Sequence, residues 1–187
     1  MCRDVRVVPG RSSVAAAYAM AMTGWLRLST RVVSEAPVRL DEDVVRTPDG
    51  QEIVYQVVRA RGFACVCPVT PDGQVAFVRQ YRYPLDEVTC ELPAGAIENG
   101  ETPLETAKRE TAEEASLSAD EWIHLGSFWT MPGKGDERAH LFLASDARPL
   151  APTAERLEVV FKSFDEALAE AVSVRDALCL RLAREAL

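Results

Sequence analysis

Glu110, Glu113 and Glu114 crowd one flank of an acidic segment, GAIENGETPLETAKRETAEEASL, that runs from Gly95 to Leu117. On a helix, Glu110 and Glu114 stand at i,i+4 and Glu110 and Glu113 at i,i+3, so their carboxylates are neighbours. Like charges so placed cost roughly 0.2–0.5 kcal/mol per pair, and the C-terminal end of a helix disfavours anions further. Arg109 is within reach of Glu113, and of Glu105 one turn earlier, which leaves Glu110 and Glu114 unrelieved. A solvated charged face is one reading; a cation site is the other. The preceding loop, ELPAGAIENGE, favours the cation site. Its Gly95 and Gly100 permit close backbone approach. Carboxylates and loop carbonyls together are hard oxygen donors suited to Mg²⁺ or Mn²⁺, ions that accompany phosphate substrates.

The helix that must carry these groups has a marked start. Thr102 is a good N-cap, Pro103 a good first helical residue, and Glu105 completes a capping box. Leu104, Ala107, Thr111 and Ala115 repeat at three to four residues and are expected to form the buried stripe. Around this helix the chain reads mostly as strands. WLRLSTRVV, DVVRTPDGQEIVYQVV and FACVCPVTPDGQVAFVRQY contain alternating or β-branched runs, the last two folded about TPDG turns. WIHLGSFWT, AHLFLAS and RLEVVFKS read as further strands; FDEALAEAV and VRDALCLRLAREAL have helical spacing. The fold class is therefore α/β with a mixed or antiparallel sheet and three helices. The two TPDGQ turns are turn chemistry rather than a repeat.

A length of 187 residues suits one domain. The formal net charge of −8 argues against nonspecific nucleic-acid binding, which needs a basic footprint. No apolar run reaches the ~18 residues of a membrane span. Cysteines at 2, 65, 67, 90 and 179 are odd in number and irregular in spacing, so no disulfide framework is expected and a reducing cytoplasm fits. Cys65 and Cys67 share one strand face and read as buried thiols; with only His124 and His140 as partners, a zinc site is not favoured. Residues 1–23, rich in Arg, Ser and Ala, read as a flexible extension rather than a signal or transit segment.

The segment 95–117 resembles the Nudix hydrolase signature, G-x5-E-x7-R-E-U-x-E-E-x-G-U, with U a bulky aliphatic residue. Gly95, Glu101, Arg109-Glu110 and Glu113-Glu114 fall at the fixed positions. Thr111 takes the first U and Leu117 the last. Ser116 replaces the glycine that usually ends the helix, and serine tolerates a left-handed backbone less well. The resemblance extends over roughly residues 24–185. VRQYRYP, ELPAG and Pro132, fifteen residues after Leu117, look like the subgroup that hydrolyses ADP-ribose and related nucleoside diphosphate sugars.

The resemblance implies an α/β/α sandwich with a mixed sheet and an N-terminal antiparallel strand region. It implies metal-dependent hydrolysis of a nucleoside diphosphate sugar, ADP-ribose to AMP and ribose 5-phosphate being the leading case. A GDP- or UDP-sugar, a dinucleoside polyphosphate, or a non-catalytic nucleotide-sugar sensor are the alternatives. By position, Glu110 and Glu114 become principal ligands of two to three Mg²⁺ or Mn²⁺ ions, with Glu113 and the carbonyl of Ala94 beside them. Gly95 and Glu101 have structural roles, Glu101 by bonding to Arg109, which orients the glutamates. Glu155 is the preferred general base, joining Arg109 and Glu113 in the catalytic set; Glu158, Asp136 and Glu137 are its alternatives. Arg79, Arg82 and Pro132 are expected at the substrate, Arg82 above Arg79, and Trp25 or Tyr55 could stack on a base. The subgroup also implies a homodimer, with residues 24–58 as the arm that reaches the partner and the Nudix domain spanning 24–187.

Overall fold

The computed structural model describes residues 24–36, 38–151 and 157–187. The expected extension over residues 1–23 and the candidate base Glu155 lie outside the described residues. The chain divides into two compact units, one ending at Arg59 and one running from Ala60 to Leu187.

The first unit is a three-stranded antiparallel meander of β1 (Leu26–Ser34), β2 (Arg39–Arg46) and β3 (Glu52–Arg59). TPDG closes the β2–β3 hairpin: Gly50 donates to Thr47 O at 2.9 Å and takes φ +88°, where glycine carries no Cβ penalty. Asp41 and Asp43 are buried, and Arg59 reaches both, at 3.1 and 3.3 Å. Charges taken from water need such partners. Val32, Val33, Val54 and Trp25 remain exposed on this unit.

The second unit contains β4 (Phe63–Pro68), β5 (Val75–Arg82), β6 (Glu87–Glu91), β7 (Ala94–Ala96), α1 (Pro103–Ala115), β8 (Leu117–Ser118), β9 (Glu121–Trp129), β10 (Arg138–Ser145), β11 (Arg148–Pro149), β12 (Glu158–Lys162), α2 (Phe164–Ala169) and α3 (Val174–Ala186). One sheet has the order β7-β4-β10-β9, with β4 and β10 parallel and the other pairs antiparallel; a second has the order β12-β5-β6. Strands β4 and β10 are buried on both faces, which explains their unbroken apolar text. Cys65, Cys67, Leu141 and Leu143 pack with Cys179, Leu180 and Ala183 of α3. Ala64, Val66, Phe142 and Ala144 pack with Ala107 of α1. The sheet thus lies between α1 and α3, as the sandwich reading expects. Cys65 and Cys67 are fully buried, and burial pushes both thiols up, so they stay protonated and inert.

The second TPDGQ turn repeats the hydrogen bonds of the first, Gly73 donating to Thr70 O at 2.9 Å, but here a single antiparallel bridge, Val69 to Val75, closes it and the chain passes from one sheet to the other. One expectation, the place of Leu104 in the buried stripe, needs correction, and a stretch given no element from the sequence, YPLDEVTCELPAG, holds β6 and the start of β7. β6 forms because Tyr83–Asp86 turns the chain back, Leu85 donating to Arg82 O, so that Arg82 pairs with Glu87. Leu104 is exposed, because it sits in the first turn of α1, before the helix meets the sheet; Thr106 and Glu110 are buried instead, beside Ala107, Thr111 and Ala115.

Candidate active site

Helix α1 is fixed at both ends. At its start Thr102 Oγ accepts the Glu105 N–H at 3.3 Å, and the Glu105 carboxylate accepts the Thr102 N–H at 2.7 Å. Glu105 is therefore committed to the capping box and is no partner of Arg109. At its end Ser116 takes φ 54°, ψ 42°, the left-handed position of the expected glycine. Its N–H still closes the helix on Ala112 O at 3.1 Å, while its Oγ is buried with no hydrogen-bond partner. Ser116→Gly removes both the left-handed strain and the unsatisfied hydroxyl. It is expected to raise stability by about 1 kcal/mol, or about 3 °C in Tm, in a thermal melt. An unchanged or lower Tm would count against this account of the cap.

Arg109 gathers the acids. Its Nε and Nη2 grip Glu101 at 2.8 and 3.0 Å, its Nη1 reaches Glu110 at 2.6 Å and Glu113 at 3.0 Å, and Nη2 donates to Ala96 O at 3.2 Å. The guanidinium beside Glu101, with the Thr106 hydroxyl, holds that carboxylate down at about 2. The expected contacts of Arg109 with Glu113 and Glu101 are present. The expectation that Glu110 lacks a cation is corrected: a neighbour at i−1 reaches it because Glu110 turns in against β7 rather than out to solvent.

That inward turn explains Gly95. A Cβ on Gly95 would lie 1.8 Å from Glu110 Oε1 and 2.1 Å from its Cδ. Gly95 pairs with Ala64 in the β7–β4 ladder, so its backbone is held while the carboxylate occupies the space a side chain would need. Next to it Ala94 donates its N–H to Glu114 Oε2 at 3.0 Å. Burial raises Glu110 above the usual carboxylate range, opposed by Arg109. Burial lifts Glu114 to about 7; the Ala94 N–H opposes this, Glu110 adds to it, and the charges of Arg82 and Arg175 pull it back. One buried and one half-buried carboxylate are thus set against the strand that carries Gly95. Glu113 is the most exposed of the three acids on Arg109, its side chain 37% accessible. The carboxylates are hard oxygen donors of the kind Mg²⁺ and Mn²⁺ take, although no three acidic, His or Cys side chains converge as a cation-holding group among the described residues.

Beyond α1, Leu150 donates to Ser116 O at 2.8 Å and Leu157 to Glu114 O at 3.2 Å. The residues on either side of segment 152–156 are therefore tied to the carboxylate end of the helix. Of the other base candidates, Asp136 accepts the Ala60 N–H at 3.2 Å, Glu137 accepts from Thr130 Oγ at 2.8 Å, and Glu158 lies exposed, 3.7 Å from Arg79. Pro132 is exposed in the β9–β10 turn, where Lys134 and Gly135 both donate to Met131 O at 2.9 Å. Trp25 and Tyr55 belong to the first unit and are partly exposed.

Arg82 ends β5 and forms a two-pronged pair with buried Glu91, at 2.8 and 2.7 Å. Arg175, at the start of α3, donates to the same carboxylate at 3.0 Å. Arg82, Arg175, Glu91, Leu85 and Val172 line a cavity of about 370 Å³. Neither Glu91 nor Arg175 is legible as a site residue from sequence: the one lies in a short strand, the other in a helix that reads as packing.

Residues 58–183 match the NUDIX domain family. The chain belongs to the Nudix family. It is a Nudix hydrolase related to ADP-ribose pyrophosphatases. It is 34% identical over 155 residues to the ADP-ribose pyrophosphatase of Bacillus subtilis, covering 83% of this chain and 81% of that one. It is 35% identical over 143 residues to the methanol dehydrogenase activator of Bacillus methanolicus, covering 74% and 77%. A crystal structure described as an ADP compounds hydrolase has the same fold, with TM-score 0.77 at 21% identity over 87% of this chain and 94% of that one. In Nudix terms, α1 with the loop before it is the signature segment, complete in its charged positions. No helix among the described residues is long and apolar enough to cross a membrane.

Proposed function

We propose that this Nudix hydrolase cleaves the diphosphate linkage of a nucleoside diphosphate sugar with Mg²⁺ or Mn²⁺, and that ADP-ribose, giving AMP and ribose 5-phosphate, is its preferred substrate. The observation that carries the reading is the pair of buried Glu110 and half-buried Glu114, set against Gly95 and Ala94. The similarity to ADP-ribose pyrophosphatases supports the substrate. Two to three divalent ions, when bound, offset the charge of the diphosphate and make water more acidic.

The chain's own residues divide the remaining work. Glu110 and Glu114 hold cations, with Glu113 and the Ala94 carbonyl completing the donor set. Arg109 keeps Glu110 and Glu113 aligned and is itself anchored by Glu101. Arg82 contacts a phosphate or the ribose, with Arg79 and Pro132 at the edge of the substrate. Glu155 takes the proton of the attacking water; Leu157, two residues later, is tied to Glu114. Residues 24–58 form the arm of a homodimer, a reading supported by the exposed apolar side chains of the first unit. The protein works in the cytoplasm, in keeping with free Cys65, Cys67, Cys90 and Cys179.

The pH dependence tests the cation site. Glu114 stands at about 7, above its ordinary 4.5, so a cation entering below that pH must displace its proton. The apparent Mg²⁺ affinity is expected to fall about tenfold per pH unit below 7 and to level off above it. For the metal-free protein the sign is opposite. A raised carboxylate contributes stability that is fully present below 4.5 and is lost as the pH rises through about 7. Calorimetric Mg²⁺ titrations from about pH 5.5 to about pH 8.5 read the first effect. A flat affinity across that window would remove Glu114 from the ligand set.

A further inference from the structure

A second cluster of charges joins β5, β6 and α3. Glu91 is buried and receives donors from three elements. Arg82 of β5 grips both its oxygens, Arg175 of α3 donates to Oε2, and Thr89 of its own strand donates to Oε1. Arg175 is fixed in turn: its Nε donates to Asp176 Oδ1 at 2.9 Å, and its guanidinium lies 5.8 Å from the centre of the Phe63 ring. Asp176 is fully buried, caps against Ser173 Oγ at 3.1 Å through its N–H, and leaves Oδ2 without a partner.

Two cations and two anions cancel here, so the cluster is not an anion site by net charge. Buried ion pairs are also weak contributors to stability, since desolvation offsets their attraction. What the cluster supplies is geometry. A carboxylate saturated by three donors has one orientation, and the planar fork of an arginine bound to it through two parallel hydrogen bonds is held in that plane. The orientation matters because Arg82 is the member of the cluster assigned to the substrate, and Glu91 holds it by two hydrogen bonds. Arg82 lines the adjoining cavity, it is partly exposed, and its charge is felt at Glu114, as is that of Arg175. Only Leu92 and Pro93 separate Glu91 from Ala94, which bonds Glu114, so the two networks share one stretch of chain.

We propose that Arg175 is a positioning residue for the hydrolysis: bridging Asp176 to Glu91, it sets the orientation in which Arg82 meets the phosphate of the substrate. The C-terminal helix thereby becomes part of the active site without touching the substrate. This inference rests on the reading of the protein as a diphosphate-sugar hydrolase with Arg82 at the substrate.

The test is a mutant cycle on the full chain. Arg175→Gln alone strands the buried Asp176 charge and is at risk of unfolding. The variant used is therefore the pair Arg175→Gln/Asp176→Asn, which removes both charges together. With Mg²⁺ and ADP-ribose it is expected to raise KM about tenfold while kcat stays within about threefold. Arg175→Lys keeps the charge but cannot bridge two carboxylates with a fork, and is expected to raise KM about threefold. The deciding readout is coupling. Arg82→Lys is expected to raise KM about thirtyfold in the parent but only about threefold in the Arg175→Gln/Asp176→Asn background, because its alignment is already lost. Calorimetric binding of ADP-ribose with Ca²⁺ gives the same comparison without turnover. Equal effects of Arg82→Lys in both backgrounds, in an active parent, overturn the inference and leave the hydrolase reading standing. A parent that neither turns over nor binds ADP-ribose or another nucleoside diphosphate sugar overturns the hydrolase reading, and this inference with it.

Discussion

Replacing Glu114 with Gln lowers kcat about 10³-fold at saturating Mg²⁺, a loss of about 4 kcal/mol of transition-state stabilisation. The substitution is nearly isosteric, and the amide can still accept the Ala94 N–H that now reaches Oε2 at 3.0 Å. What disappears is the anionic oxygen that a hard cation requires. The same change relieves the fold. Glu114 is raised to about 7 because burial penalises its charge and Glu110 repels it, and a neutral amide escapes both penalties. The metal-free Gln variant is therefore expected to melt no lower than the parent at neutral pH, and its Mg²⁺ affinity no longer changes through pH 7. Activity falling while stability holds separates a ligand from a residue that merely supports the helix. Unchanged turnover would dismiss Glu114 as a ligand.

Gly95→Ala is expected to lower kcat/KM about 100-fold, with a stability cost of about 1–3 kcal/mol. The added methyl would overlap Glu110, the nearest atom standing 1.8 Å away, so either the carboxylate or β7 must move. β7 is held by its ladder to β4 and by the Ala94 bond to Glu114, and Glu110 is the more mobile partner. Its displacement carries it off Arg109 and out of the donor set. Gly133→Ala is the control, since nothing lies within 4 Å of a Cβ there, and its effect is expected to stay within about 0.5 kcal/mol. Mg²⁺ titration of both variants checks the argument: Gly95→Ala should lose affinity and Gly133→Ala should not. Full activity in Gly95→Ala would mean that Glu110 has room elsewhere and that the close approach is not functional.

The sequence carries much of this arrangement because the strongest signals are local. Thr102, Pro103 and Glu105 specify a helix start by hydrogen bonds within one turn, and the start falls where they place it. The apolar runs of β4 and β10 reveal their burial by their length, and each TPDGQ closes on itself. The spacing of Glu110, Glu113 and Glu114 shows that three carboxylates share a helix flank. It does not show that Glu110 turns inward, because that depends on a glycine brought alongside by another strand. Strands β6 and β7 are hidden for a related reason: they have little alternation and exist because their neighbours pair with them. The bridge from Arg175 to Glu91 spans 84 residues of chain, and neither partner has a local pattern that points to the other. Ser116 is legible as a departure, and the left-handed backbone is kept there while Leu150 and Leu157 tie the C-terminal end of α1.

The most direct measurement is product identification after incubation with Mg²⁺ or Mn²⁺ and, in separate reactions, ADP-ribose, ADP-glucose, GDP-mannose, UDP-glucose and a diadenosine polyphosphate. The account predicts AMP and ribose 5-phosphate from ADP-ribose, formed fastest among these substrates and abolished by a chelator. Faster cleavage of another member would contradict ADP-ribose as the preferred substrate. Saturable binding with no cleavage of any of them would contradict the hydrolytic role of this carboxylate site.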